Sequence, residues 1–205
     1  MNSNNNLDLS SKDGKTYHPT IKQHHIEEFV PTSNDDSLLI ELRRVFISAF
    51  YEYYKTIEPQ LNLPTGETLL NWLETAFNEE VNELLSHQCR CFVIYTPPPS
   101  SVVAGFLTIK ESKIDSNGIY ISQYAVDPVF KRQGYGLCLL KYLSTVFPSA
   151  TSYTCLCRRL NKPALKFYER CGATFIDEDQ LVTMYGYSPT DYIGLQFSSS
   201  QLKSL

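Results

Sequence analysis

The stretch Val126-Asp127-Pro128-Val129-Phe130-Lys131-Arg132-Gln133-Gly134-Tyr135-Gly136-Leu137 decides the reading of this chain. Upstream of it, Ile119 to Val126 is an apolar, strand-like run that ends just before a proline. Downstream, Leu139, Leu140, Leu143, Val146 and Phe147 follow a helical period. Between the two lie two basic residues and two glycines one residue apart. The first turn of a helix carries amide N–H groups without intrahelical partners, and the macrodipole adds partial positive charge there. Gly134 and Gly136 lack Cβ atoms, so a ligand can come close to the backbone. The segment therefore reads as a seat for phosphate oxygens.

Two common phosphate loops fail on residues. A dinucleotide fingerprint needs a third glycine three positions after the second, and that position is Leu139. A Walker loop ends in Gly-Lys-Ser/Thr, whereas Gly136 is followed by Leu137-Cys138. A second block lies further on. Ser152 to Cys157 reads as a buried strand, and Asn161-Lys162-Pro163-Ala164-Leu165-Lys166-Phe167-Tyr168-Glu169-Arg170-Cys171-Gly172-Ala173 as a short helix. Asn161 suits the N-cap, Pro163 the first turn and Gly172 the C-terminal stop. Ala164, Phe167, Tyr168 and Cys171 share one face at helical spacing.

A basic residue or Gln followed by x-x-Gly-x-Gly after a Val-x-Pro strand end, then Asn-x-x-Ala-x-x-x-Tyr-x-x-x-Gly-Ala, resembles the GCN5-related N-acetyltransferases, the GNAT family. The family usually opens the loop with Arg or Gln, and Lys131 stands there in this chain. The resemblance covers about residues 24–187 and is most specific at 119–147 and 152–175. It implies a mixed α/β fold: a mostly antiparallel twisted sheet flanked by helices, its fourth and fifth strands splayed apart. It also implies acetyl-CoA as co-substrate and acetyl transfer to a primary amine by direct attack in a ternary complex.

The resemblance further implies residue roles. Lys131, Arg132, Gln133, Gly134, Tyr135, Gly136 and Leu137 would hold the pyrophosphate. Tyr124, Ala125 and Val126, at the end of the fourth strand, would pair with the pantetheine arm, with the amide of Ala125 or Val126 as oxyanion donor. Asn161 would touch pantetheine, Ala164 and Phe167 would complete the cofactor wall, and Tyr168 would donate a proton to the leaving thiolate. Many relatives carry a glutamate on the fourth strand as general base. Here Gln123 takes that place, and a neutral amide orients a water or the substrate without accepting its proton. An alkyl ammonium has a pKa near 10.4, so a proton must leave before attack. Base duty stays open among a water chain, Glu52 or Glu58, a tyrosine, and an amine that arrives neutral. The acceptor, a small molecule or a peptide, is expected between the two early helices. There Tyr51, Tyr53 and Tyr54 follow one another too closely to share a face, while Phe50, Trp72 and Phe77 read as core.

At 205 residues the chain suits one domain with a substantial core. A net charge of −4 argues against a nucleic-acid partner held by a basic face. No run approaches the roughly 18 apolar residues of a membrane span, and the polar start is no secretory signal, so a cytoplasmic protein is expected. Cys89-x-Cys91 and Cys155-x-Cys157 have strand spacing rather than a metal-ligand pattern; reduced core thiols and no metal are expected. Residues 1–20 read as a disordered polar tail, 21–190 as the transferase domain and 191–205 as a C-terminal tail.

The expected elements are a strand at 26–30, helices at 35–54 (capped by Ser33 or Asn34) and 65–86, and strands at 89–96 and 102–110. After the two motif blocks come strands at 173–176 and 181–187. A homodimer through strand edges is left open. Two other readings compete with the enzyme: an acyl-CoA-binding sensor or scaffold of the same fold, favoured by Gln123, and an interaction protein using the N-terminal tail.

Overall fold

The computed structural model describes residues 24–33 and 36–205; the tail assigned to residues 1–20 lies outside them. One seven-stranded sheet runs through the molecule, built from β1 (His25–Phe29), β2 (Arg90–Tyr95), β3 (Val103–Glu111), β4 (Ile119–Val126), β5 (Ser152–Arg158), β6 (Thr174–Phe175) and β7 (Tyr192–Ser198). Their order is β1-β2-β3-β4-β5-β7-β6, and every pairing is antiparallel except β4 with β5.

Helices α1 (Ser37–Thr56) and α2 (Leu69–Leu85) cover one face of the sheet. Leu39, Leu42, Val45 and Phe46 of α1, with Leu69, Leu73, Phe77 and Val81 of α2, form the buried stripes. The other face carries α3 (Tyr135–Val146), α4 (Lys162–Arg170) and α6 (Ser199–Ser204), with Leu139, Leu140, Leu143, Tyr168 and Leu202 in its core. Asp36 caps α1 by accepting from the Leu38 amide (2.9 Å), the role expected of Ser33 or Asn34; Asn34 lies outside the described residues. Thr68 caps α2 in the same way, accepting from Asn71 at 3.2 Å, so that helix starts at Leu69, the first residue of its apolar stripe, rather than at the expected residue 65. Among the described residues no helix is long and apolar enough to cross a membrane. All six cysteines are free, and five of them are buried.

The C-terminal quarter departs from expectation. Residues 181–187, read as a strand, lie mostly in helix α5 (Glu178–Tyr185). Asp177 caps it by accepting from Asp179, acidic residues fill its first turn, and Gly186 ends it in the left-handed region at φ 69°. Those end signals outweigh a short apolar run. The strand lies instead in the segment read as a tail. There Ile193, Leu195 and Phe197 alternate onto the α3/α4 face, and β7 inserts between β5 and β6. Ser198 and Gln201 then close a reciprocal capping box on α6.

Leu195, Phe197 and Leu202 are all essentially buried. Truncating a buried side chain of this size costs about 2–5 kcal/mol, against a total stability of about 5–15 kcal/mol for a typical domain. A chain ending at residue 191 should therefore lose its cooperative thermal transition. Near-ultraviolet circular dichroism would show this, and a sharp melt in the shortened chain would contradict the assignment of β7 to the core sheet.

Candidate active site

The site is made by an interrupted strand pairing. β4 and β5 pair in parallel only at Ile119–Tyr153, Tyr120–Thr154 and Ile121–Cys155, after which they part. β4 stays paired with β3 as far as Val126. The β3–β4 register shifts between Thr108 and Ile109, leaving Ser122 as an extra, bulged residue. That bulge reverses the side-chain alternation. Ile119 and Ile121 pack on the α3/α4 face before it, and Tyr124 and Val126 do so after it, while Ala125 joins the α1/α2 core.

The same register orients the main chain. Asp127 N–H donates to the Ala104 carbonyl at 2.9 Å, so alternation along the antiparallel ladder turns the amide of Ala125 toward β3. The main-chain groups of Tyr124 and Val126 then face the gap left by β5. Of the two oxyanion donors expected, the register favours Val126 over Ala125, and it adds Tyr124.

At the end of β4 the buried Asp127 carboxylate is bonded twice. It accepts from the Val129 amide (2.9 Å) and from the Arg44 guanidinium, tying α1 to the start of the loop. Arg132 (φ 64°) and Gly134 (φ 90°) both take the left-handed conformation, and Gly134 caps α3 with no side-chain bond. The first helical bond runs from the Cys138 amide to the Gly134 carbonyl (2.9 Å), so the amides of Tyr135, Gly136 and Leu137 precede the intrahelical ladder. This is a concave run of donors suited to an anion.

The two glycines serve different ends. Nothing lies within 4 Å of a Cβ built on Gly134, whose backbone conformation is what demands glycine. A Cβ on Gly136 would instead come within 3.2 Å of the Tyr124 hydroxyl, which donates to the Gly136 carbonyl. Gly136 thus leaves room for a protein side chain as well as for a ligand.

Two cavities meet at this gap. The larger, of about 870 Å³, runs from Lys131, Arg132 and the Gly134–Leu137 turn, past Tyr124, Ala125 and Val126, to Asn161, Ala164, Phe167 and Tyr168. It gathers every residue expected to hold the cofactor except Gln133, whose amide group folds back onto the Val129 carbonyl (3.1 Å). The Lys131 ammonium lies 3.4 Å from the Ala49 carbonyl, and burial lowers its pKa. Asn161 caps α4 as expected, accepting from Ala164 at 3.2 Å.

The smaller cavity, of about 410 Å³, lies between α1, α2 and the parted strands and is lined by Gln123. Tyr168, Tyr124, Tyr54 and Asn161 border both spaces. Tyr168 is buried beside the Cys155 thiol, and burial drives its pKa well above the ordinary phenol value. It is therefore a neutral hydroxyl, a proton donor rather than a base.

Several early-helix residues sit elsewhere than expected. Glu52 and Glu58 line neither cavity. The carboxylates that do line the smaller one are on α2. Glu80, only 5% exposed, accepts from Thr108 and from Ser122 at 2.6 Å, and lies 3.8 Å from the Lys110 ammonium. Lys110 in turn pairs with Glu83. Sequence reasoning missed Glu80 because it occupies a core position of the α2 stripe, four residues before Leu84; a charged residue in an apolar stripe was the available signal. Its ligand atoms also lie within 4.8 Å of those of Glu83 and Cys89. Burial, with the charge of Glu80 adding to it, pushes the Cys89 thiol up to about 12, so at neutral pH this cluster presents a protonated thiol and a lysine ammonium. Phe77 is core as expected, but Phe50 and Trp72 line the smaller cavity. Tyr53 donates to the Leu160 carbonyl (2.7 Å), holding α1 against the β5–α4 connection.

The strand gap and the helix start with its unpaired amides thus border one cleft. The chain belongs to the acetyltransferase (GNAT) family, whose model matches residues 47–173. No curated protein matches the chain. Solved structures with the same fold include the PaiA N-acetyltransferase of Thermoplasma acidophilum in complex with coenzyme A. It shows 18% identity over 85% of this chain and 99% of that one, with a TM-score of 0.61. An acetyltransferase of Thermus thermophilus shows 15% identity over 84% and 96%, with a TM-score of 0.60. A Bacillus subtilis acetyltransferase, also in complex with CoA, shows 16% identity over 86% and 99%, with a TM-score of 0.54.

The different demands on the two glycines can be separated. Gly136→Ala should destabilise the fold by about 1 kcal/mol, a fall of roughly 2–4 °C in the thermal midpoint, because the Tyr124 hydroxyl must give way. Tyr124→Phe in that background should recover most of the loss. The same second change should not help Gly134→Ala, whose penalty lies in its backbone. Equal rescue of both would refute the contact.

Proposed function

We propose that the chain transfers an acetyl group from acetyl-CoA to a primary amine of a small molecule or peptide by direct attack in a ternary complex. The observation that carries this reading is the gap between β4 and β5. There, free main-chain groups of Tyr124 and Val126, the amides at 135–137 and the Tyr168 hydroxyl all border one cleft. The complexes of two neighbours with coenzyme A support the ligand. Acetyl-CoA supplies an activated thioester. The loop amides hold its diphosphate, and Val126 and Tyr124 align its arm along the open edge of β4.

The remaining chemistry belongs to side chains. An amide of β4 stabilises the developing oxyanion. Tyr168, held neutral by burial, donates to the departing sulfur. The ammonium of the acceptor gives its proton toward Glu80, the buried carboxylate of the smaller cavity, while Gln123 orients the amine or an intervening water. A cytoplasmic setting suits six unpaired cysteines, and a net charge of −4 suits an amine better than a nucleic acid.

Free-thiol release from acetyl-CoA against a panel of amines tests the reaction. Tyr168→Phe should lower kcat by about a hundredfold while calorimetry finds CoA affinity unchanged; undiminished turnover would remove Tyr168 from the mechanism. In the wild type, no loss of rate assignable to Tyr168 should appear below about pH 10, since its folded-state pKa is raised above the phenol reference.

Glu80→Gln should slow the reaction most near pH 7. The deficit should shrink as the pH approaches the pKa of the acceptor, because a neutral amine needs no base. A pH-independent deficit would make Glu80 a structural residue only.

A further inference from the structure

The smaller cavity contains a cation whose charge nothing among the described residues neutralises. Arg158, the last residue of β5, is only 9% exposed and lines that cavity. Its guanidinium carbon lies over the Trp72 ring at 4.7 Å and over the Tyr192 ring at 4.9 Å. Its Nε is buried and has no hydrogen-bond acceptor among the described residues. No carboxylate forms an ion pair with it among those residues either, although Arg43, Arg44, Arg90 and Arg159 are all so paired.

An arginine cannot escape this by losing its proton. Aromatic faces compensate a cation only in part, and the one side-chain hydrogen-bond partner beside it among the described residues, the neutral Tyr192 hydroxyl, leaves Nε without an acceptor. The N–H edge of a guanidinium matches a planar carboxylate through two parallel hydrogen bonds. A phosphate is the poorer fit, because Arg158 is the only unpaired cation on the cavity wall among the described residues: Lys110 is already engaged by Glu80 and Glu83. The diphosphate of the co-substrate is not the missing partner, because Arg158 does not border the larger cleft in which the loop amides lie.

The rest of the cavity has the opposite character. Glu79, Glu80 and Glu83 line the same space from α2. Three carboxylates against the one Lys110 ammonium leave that side of the cavity an excess of acidic groups for an ammonium, while Arg158 offers an anion a guanidinium without an ion-pair partner among the described residues.

Resting on the transferase reading, we infer that the acceptor is an amine that also carries a carboxylate, an amino acid or the terminus of a short peptide, whose carboxylate is gripped by Arg158. Arg158 acts on specificity: it holds the far end of the acceptor and takes no part in bond making. Trp72 and Tyr192 hold the guanidinium in place.

Matched acceptors test this on the full chain by thiol release. The pairs are an α-amino acid and its decarboxylated amine, an ω-amino acid and the corresponding alkylamine, and a dipeptide and its C-terminal amide. The carboxylate-bearing member should have a kcat/KM at least tenfold higher in one or more pairs, and which pair responds identifies the source of the carboxylate. Arg158→Gln should raise KM for that member about a hundredfold with little change in kcat, and Arg158→Lys should recover part of the loss. Equal use of both members in every pair, or a fall in kcat without a rise in KM, would overturn the inference.

Should no amine release thiol although CoA binds, the transferase reading fails on its own. Calorimetric titration of the same carboxylate-bearing amines into the CoA-loaded chain then decides the role of Arg158. Binding that Arg158→Gln abolishes upholds the anion site, and its absence in the wild type rejects it. If Arg158→Gln does not fold, the wild-type pairs and Arg158→Lys still decide between the two outcomes.

Discussion

After Ile121 and Cys155, strands β4 and β5 stop sharing hydrogen bonds, and the rest of the site depends on that parting. A parallel sheet normally spends the main-chain donors and acceptors of both strands on each other, and buried groups left unpaired are costly. Here β3 holds β4 firmly along its other edge, so the unspent groups of Tyr124 and Val126 are fixed in space rather than mobile. The bulge at Ser122 sets which residues they are. Without the extra residue the alternation established by Ile119 and Ile121 would continue, and Gln123 and Ala125 would take the positions that Tyr124 and Val126 now hold. The bulge is itself anchored. Ser122 and Thr108 both donate to Glu80, and the Gln123 amide bonds the Thr108 hydroxyl at 3.0 Å, so a buried carboxylate on α2 fixes the register of a strand that α2 only faces.

The loop after β4 carries conformational strain that its neighbours offset. A non-glycine residue in the left-handed region costs on the order of 1–2 kcal/mol, and Arg132 sits there at φ 64°. Asp127 compensates from behind by holding both the Val129 amide and Arg44 of α1. Tyr124 reaches from β4 to the Gly136 carbonyl at the start of α3, while packing on Phe167 and Tyr168 of α4 with ring centroids 5.8 and 6.2 Å away. One tyrosine thus couples β4, the start of α3 and the helix that carries the Tyr168 hydroxyl.

The features legible in the sequence are those that local chemistry fixes. Gly134, Asn161, Pro163 and Gly172 act at the backbone, and all occupy the turn, cap and stop positions that their types predict. The β4 strand end and both motif helices followed from them. What escaped notice depends on tertiary context. Leu181 to Tyr187 looked extended because its short apolar run has no clear period, while the decisive signals, Asp177 and Gly186, lie at its ends. The alternation of Ile193, Leu195 and Phe197 was too short to separate from a tail without seeing the open edge of β5 that it fills. Glu80 and Arg158 could not be read as site residues from spacing, because they reach the cavity from α2 and β5, elements far apart in the chain.

Hydrogen-bond bookkeeping shows which groups serve the fold and which remain for a ligand. The side-chain acceptors near the gap are largely engaged: Glu80 through Oε1 alone on Thr108 and Ser122, Asp127 on Val129 and Arg44, Asn161 on Ala164. The groups left over are chiefly donors: the amides at 135–137, the amides of Tyr124 and Val126, and Nε of Arg158. A fold gains nothing by burying donors without acceptors, since each such group costs about 1–3 kcal/mol. Their concentration along two adjoining cavities, with none of the nearby carboxylates turned to satisfy them, is the feature on which the proposed binding surface rests. The donors at the loop end face a space large enough for an extended anionic ligand. The guanidinium faces a smaller one, which glutamates of α2 also line without forming an ion pair with it. That separation keeps two negatively charged groups from competing for one seat, as two substrates meeting at Tyr168 would require.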